Sequence, residues 1–134
     1  MIETIIQPRF SETDAMTHIG NTVLPVWFEE ARAPIFDKLL PGMKLEEWAF
    51  ILAHIDVDFH QQTHLASPVN VKVGVSKIGS KSFTVYHEAW QNGVKTASGN
   101  AVIVHFDFTS KQTSPLSEGQ TNILREFLID QGSD

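Results

Sequence analysis

The run Thr22-Val23-Leu24-Pro25-Val26-Trp27-Phe28-Glu29-Glu30-Ala31-Arg32-Ala33-Pro34-Ile35-Phe36-Asp37-Lys38-Leu39-Leu40 places apolar residues at 24, 27, 28, 31, 35 and 39, the spacing of one helix face. Asn21 or Thr22 is the N-cap candidate, Pro25 is tolerable in the first turn, and Pro41-Gly42 is a stop signal. Val23, Val26 and Phe36 widen the apolar face beyond that of a surface helix, so this helix needs covering on most sides. Pro34 removes a backbone donor and clashes with the preceding turn, which predicts a kink or an early end near Ala33.

On the N-terminal side, Thr4 to Phe10 is short and β-compatible, and Ser11 to Asn21 is a polar, Gly-containing loop. On the C-terminal side, Lys44 to Glu47 suggests a short helical turn, and from Trp48 to about Asp107 the reading is β. Ala53 to His60 alternates apolar and polar residues, as does Val69 to Ile78. Gly79-Ser80 turns into Ser82 to Trp90, and Gln91-Asn92-Gly93 is a hairpin signal, because Asn-Gly takes the positive φ values of a type I′ turn. Val94 to Asp107 is one long strand, and Ser117 to Asp130 closes with an amphipathic helix pattern. The order predicts four strands joined by hairpins after the helix. An α+β domain over 1–134 satisfies it, with a curved antiparallel sheet wrapped around the long central helix. Unbroken, Thr22 to Leu40 is about 28 Å long, enough to cross several strands.

The 134 residues are 42% hydrophobic, enough for one packed core, and the formal charge of −6 argues against nucleic-acid or anionic-membrane binding. The charge is uneven: residues 1–69 hold four basic and ten acidic groups, whereas residues 70–111 hold five basic and two acidic. With no cysteine there is no disulfide, thiolate metal site or cysteine nucleophile. The first residues do not read as a basic-then-apolar leader, and no apolar run approaches the roughly 20 residues that span a bilayer, so the expectation is a cytoplasmic protein.

The densest polar group, Asp14-Ala15-Met16-Thr17-His18-Ile19-Gly20-Asn21, stands just before the central helix. The first N–H groups of a helix lack intrahelical partners and carry the positive end of its dipole, so they can stabilise an oxyanion. Asp14 can activate a water or attack a carbonyl, with His18 or Asn21 orienting groups by hydrogen bonds. Turn capping explains the same residues without any chemistry, and residue type alone leaves both readings open.

Arg9 to Asn21, continued by Trp27-Phe28-Glu29-Glu30-Ala31-Arg32, resembles the signature of hotdog-fold acyl-CoA thioesterases of the 4-hydroxybenzoyl-CoA thioesterase type. Ile55 to Phe59, Val69 to Phe83 and Gly93 to Phe108 are similar to the later family strands, so the resemblance covers about residues 5–116. It implies hydrolysis of an acyl-CoA thioester to a carboxylic acid and free CoA. Asp14 would be the catalytic carboxylate, as nucleophile or general base, and Gly20 and Asn21 would supply the backbone N–H that polarises the carbonyl. His18 and Asn21 match the family's His-x-Asn-Asn motif only partly, because Gly20 stands where many relatives have the first Asn. Gln61-Gln62 replaces a frequent Arg-Pro.

Coenzyme A carries three phosphates, and Lys72, Lys77 and Lys81, with Ser80 and Ser82, are the candidate contacts in the basic middle. Lysines on sheet surfaces are also common for solubility. CoA is part of the substrate, and no other cofactor and no metal is implied. His54, Asp56, Asp58 and His60 share one strand face, but same-face residues lie about 6.6 Å apart, and a polar outer face or subunit contact is the better reading. Glu29 can pair with Arg32 at i,i+3, and is a second-choice catalytic base. The resemblance also implies a homodimer or homotetramer with sites at the subunit interface. Rival readings are an acyl-carrier-protein thioesterase and a non-catalytic acyl-CoA binding module. Trp27, Phe28 and Trp48 are candidates for the acyl pocket, though aromatics at helical spacing are more often core.

Overall fold

The computed structural model describes residues 1–42 and 44–129. Strand β1 (Ile2–Ile6) leads through a 3-10 turn (Phe10–Glu12) and the polar loop into helix α1 (Val23–Leu39), with Thr22 at the N-cap position but making no side-chain capping bond. Beyond a second 3-10 turn (Leu45–Glu47) follow β2 (Phe50–Phe59), β3 (Val69–Ile78), β4 (Ser82–Gln91) and β5 (Val94–Asp107). A two-residue strand β6 (Gln112–Thr113), not expected from the sequence, pairs with the end of β5.

Of the kink or early end expected near Ala33, the early end does not occur: the helix runs through Pro34 to Leu39. Pro34 is exposed, so the carbonyl it leaves unbonded on the preceding turn can be met by water. Helix α2 (Glu118–Arg125) is shorter than Ser117 to Asp130, and Asp130 lies outside the described residues. Ser117 caps it in a reciprocal capping box with Gln120. After α2 the chain turns back along β3, where Val75 N–H donates to Phe127 O and Ile129 N–H to Val75 O.

All sheet pairings are antiparallel, in the order β1-β3-β4-β5-β2. The β3–β4 and β4–β5 connections are hairpins, and Asn92 and Gly93 take φ of 52° and 77° at the second. The expected hairpin between β2 and β3 is not formed. Residues 60–68 instead carry the chain from the β5 side of the sheet to the β1 side, so β2 becomes an edge. That link holds no two-residue turn and is fastened from below, with Gln91 Nε2 donating to His64 O and Ser67 O.

One face of the sheet packs on α1. Val69, Val71, Val73 and Val75 of β3 and Phe83 and Val85 of β4 are buried against Leu24, Phe28, Ala31 and Ile35 of the helix. Each large apolar side chain so buried contributes about 1.5–3 kcal/mol. On the inner face of β2 Phe50 is buried and Val57 packs against the core, but Leu52, Ile55 and Phe59 remain 44%, 46% and 50% exposed. On its other face His54, Asp56 and Asp58 form the polar outer surface expected from the alternation. Wrapped around its central helix, this sheet is the α+β arrangement that the strand order and helix pattern implied, and it agrees with the hotdog fold that the family resemblance implied.

Candidate active site

The loop before α1 is built by its own polar groups. Asp14 Oδ1 accepts the N–H of Met16 at 2.9 Å and of His18 at 3.3 Å, and Asp14 N–H donates to His18 O at 2.8 Å. Thr17 takes φ of 62°, a left-handed conformation unusual for a β-branched residue, at the tip of this turn. A bridge between Thr13 and Ile19 closes the loop and returns the chain to the start of the helix. The loop is docked on the link after β2: Ile19 N–H donates to Thr63 O at 2.7 Å, and the rings of His18 and His64 meet edge to face at 4.8 Å.

The turn-capping role of Asp14 is therefore present, and it uses one oxygen of the carboxylate. Oδ2 has no hydrogen-bond partner among the described residues, and the side chain is exposed. Capping and chemistry are compatible because a carboxylate has two oxygens.

Gly20 N–H, expected to face a carbonyl, is already donated to Glu12 O at 2.9 Å. Val23 N–H is likewise spent, on Gly20 O. Asn21, Thr22 and Leu24 at this helix start have N–H groups with no backbone acceptor among the described residues. Asn21 lines a cavity of about 330 Å³ with Leu24, Phe59, His60 and Thr63. His60 contributes no free imidazole there, its Nε2 being 2.8 Å from Ser98 Oγ.

Asp14, His18, Gly20 and Asn21 thus share one loop, but the five residues considered for CoA do not form one cluster with it or with each other. Lys77, Ser80, Lys81 and Ser82 surround the β3–β4 turn, at the end of the sheet opposite the Asp14 loop. Lys72 stands apart on the outer face of β3, its ammonium 5.0 Å over the ring of Trp90. From Val69 at one end of β3 to Ile78 at the other is about 30 Å.

His54 and Asp56 pair at 3.2 Å, and Asp56 Oδ1 accepts both N–H groups of Asn100 that face it. Burial alone would raise the Asp56 pKa, but the hydrogen bonds from Asn100 and His54 outweigh it and hold the carboxyl below its usual value. Among the described residues no group of three His, Asp or Glu side chains is placed to hold a metal ion.

Two features escaped the sequence reading. Glu12 ties the loop to α1, accepting from Trp27 Nε1 at 2.9 Å and Arg9 N–H at 2.8 Å. Arg32 is buried and donates from Nη1 to Nε2 of His87 at 3.3 Å, beside a cavity between α1 and β2. The signal for His87 was its place in the inward-facing series Phe83, Val85, His87, Ala89, where a histidine must find partners inside. The pair expected between Glu29 and Arg32 is present at 3.9 Å.

A hotdog sheet with a carboxylate-bearing loop at the start of its central helix defines a thioesterase-type scaffold. The model of the thioesterase-like superfamily matches residues 8–124, and the chain belongs to that family. A predicted thioesterase from Bacillus stearothermophilus is 38% identical, with a TM-score of 0.93 covering 97% of this chain and 98% of that one. A thioesterase from Thermus thermophilus, crystallised with coenzyme A and Zn, is 28% identical, with a TM-score of 0.84 over 93% and 92% of the two chains. The uncharacterised protein YsmA of Bacillus subtilis is 29% identical over 82 residues, 61% of this chain and 56% of that protein's length. Among the described residues no helix is long and apolar enough to cross a membrane.

Proposed function

We propose that this protein hydrolyses an acyl-CoA thioester, with Asp14 as the catalytic carboxylate. The observation that carries the reading is the division of labour at the loop. One oxygen of Asp14 is fixed by two backbone amides, the other is open, and the loop ends at a helix whose Asn21 and Thr22 amides are unspent. Those amides, at the positive end of the α1 dipole, stabilise the oxyanion formed when the thioester carbonyl is attacked. The open carboxylate oxygen either takes a proton from the attacking water or attacks the carbonyl itself. In both cases the C–S bond breaks, the thiolate leaves as CoA, and water supplies the hydroxyl of the acid. CoA as carrier is supported by the Thermus relative crystallised with it.

The same reading calls for two copies of the chain. Leu52, Ile55 and Phe59 leave an apolar strip beside an unpaired strand edge, a surface that a second copy of β2 would cover. Two β2 strands pairing antiparallel about a two-fold axis put the Asp14 end of one sheet beside the β3–β4 turn of the other. Lys77, Ser80, Lys81 and Ser82 of one copy then serve the Asp14 loop of its partner, where within one chain they are remote from it.

Asp14→Asn is the test. The amide oxygen still caps Met16 and His18, so Tm and oligomer size stay close to wild type, while hydrolysis of acyl-CoA drops at least about a hundredfold. Retention of most activity would remove Asp14 from the chemistry.

A further inference from the structure

Arg32 is a buried cation whose surroundings do not balance its charge. Its side chain is 6% exposed, and the nearest carboxylate, Glu29, is 3.9 Å away and 73% exposed. That separation is beyond hydrogen-bond distance, and an ion pair so solvated compensates little. The partner at Nη1, His87, is a neutral ring: its Nδ1–H donates to Gly99 O at 3.0 Å, which leaves Nε2 to accept from Arg32. Nε of Arg32 has no acceptor. A guanidinium has five N–H donors, and burying its charge without an anion is costly. Burial accordingly pushes the Arg32 pKa down, against the weaker upward pull of Glu29.

The same residue lines a cavity of about 430 Å³ between α1 and the inner face of the sheet, walled by Phe36, Trp48, Phe50, Leu52 and Ile103. Glu29 and Glu30, both exposed, also line it. A few hundred cubic ångströms of mostly apolar wall, with buried Arg32 and two exposed carboxylates as its charged groups, is the form of a small-molecule site. Its occupant needs an apolar body and an anionic end.

We propose that this cavity receives the acyl group and that Arg32 selects acyl groups ending in a carboxylate, so that the preferred substrates are half-thioesters of α,ω-dicarboxylic acids. The identity of the carrier rests on the thioesterase reading above; the recognition of the dicarboxylate does not. A planar carboxylate accepts two N–H groups of the guanidinium fork and displaces the distant, solvated Glu29. A methyl-terminated chain fills the apolar walls but leaves the cation as unbalanced as before.

Binding and hydrolysis are measured separately. Free dicarboxylates and monocarboxylates of equal carbon number, from succinate and butyrate upward to sebacate and decanoate, are titrated against the protein while Trp fluorescence is followed, Trp48 being the cavity's own reporter. At the best-fitting length the dicarboxylate binds at least tenfold tighter than its monocarboxylate partner. Arg32→Met reduces that ratio to about one or below, and Glu29→Gln, which removes the competing anion, increases it. Should Arg32→Met fail to fold, the wild-type ratio and the Glu29→Gln response decide alone. Equal or tighter binding of monocarboxylates at every length, or an unchanged ratio in Arg32→Met, overturns the proposal. Hydrolysis of the corresponding acyl-CoA pairs separates the two readings. A protein that cleaves only methyl-terminated acyl-CoA keeps its thioesterase function and loses this specificity, and one that binds dicarboxylates through Arg32 but cleaves nothing does the reverse.

Discussion

Glu12 and Trp27 are joined by a 2.9 Å hydrogen bond from the indole Nε1–H to Oε2, which ties the loop that holds Asp14 to helix α1. The other carboxylate oxygen accepts Arg9 N–H, and the Glu12 carbonyl accepts Gly20 N–H, so one residue anchors both sides of the loop. Burial would raise the Glu12 pKa, but the hydrogen bonds from Trp27 and Arg9 outweigh it and hold the carboxyl below its usual range.

Glu12→Ala leaves the indole N–H of buried Trp27 and a backbone N–H without acceptors, a loss of about 1–3 kcal/mol. Tm falls, and the hydrolytic rate falls further than the stability change explains, because the Asp14 loop loses its tether. Glu12→Gln keeps one acceptor oxygen and recovers part of both. Thermal melts and rates on the same preparations check this, and an unaltered rate in Glu12→Ala would show that the loop holds its shape without the clamp.

His87 makes stability depend on pH in a definite direction. Burial, aided by the Arg32 charge and opposed by the hydrogen bond to Gly99, pushes its pKa from 6.5 down to about 4. The folded state therefore binds fewer protons than the unfolded chain between those values, and its stability is complete above pH 6.5 and declines as the pH is lowered toward 4. A depression of this size corresponds to about 3 kcal/mol. Tm measured from pH 7 down to pH 4 falls more steeply in the wild type than in His87→Gln, and parallel curves would mean that the ring protonates without cost.

Gly99 is where β5 lies against β2, and a Cβ there would collide with the carbonyl oxygen of Asp56. The obstacle is backbone on a paired strand, so the strands must separate to admit a methyl group. Gly99→Ala then costs at least about 1–3 kcal/mol, the scale of overpacking, and displaces β2, the edge through which we propose that two copies pair. Gly79→Ala is the comparison, since its Cβ would meet nothing closer than Ser82 O at 3.3 Å. Equal Tm values for the two variants would contradict the close approach.

How much of this was legible in the sequence depends on whether the signal was local. The Asn92-Gly93 turn, the limits of β3 and β5, and the apolar face of α1 at 24, 27, 28, 31, 35 and 39 all follow from neighbouring residues, whereas Val26, read as widening that face, is 59% exposed. The place of β2 does not, because its pairing with β5 is a contact between segments far apart in the chain. Pro34 looked like a stop because propensity ignores position, and its place on the exposed face of the helix, with Glu30, Asp37 and Lys38, lets the chain continue. The Asp14 loop was legible as a site because its residues are contiguous. The commitment of Gly20 N–H to Glu12 and the separation of Lys81 from Asp14 appear only once the chain is folded.

That separation gives the last prediction. If the Asp14 loop of one copy works with the β3–β4 turn of the other, Asp14→Asn and Lys81→Glu damage different halves of each site. A dimer with one Asp14→Asn chain and one Lys81→Glu chain then has one site with both defects and one with neither. Co-refolding equal amounts gives mixed dimers as half of the population, each with one intact site of two, so activity at low acyl-CoA concentration recovers to about one quarter of wild type. Were Asp14 and Lys81 to act within a single chain, every site would retain one defect and the mixture would show only the average of its parents. Ile55→Lys, which places a charge in the apolar strip on β2, is the control. It lowers the mass in solution toward the 15.0 kDa of one chain and abolishes the recovery when built into both partners.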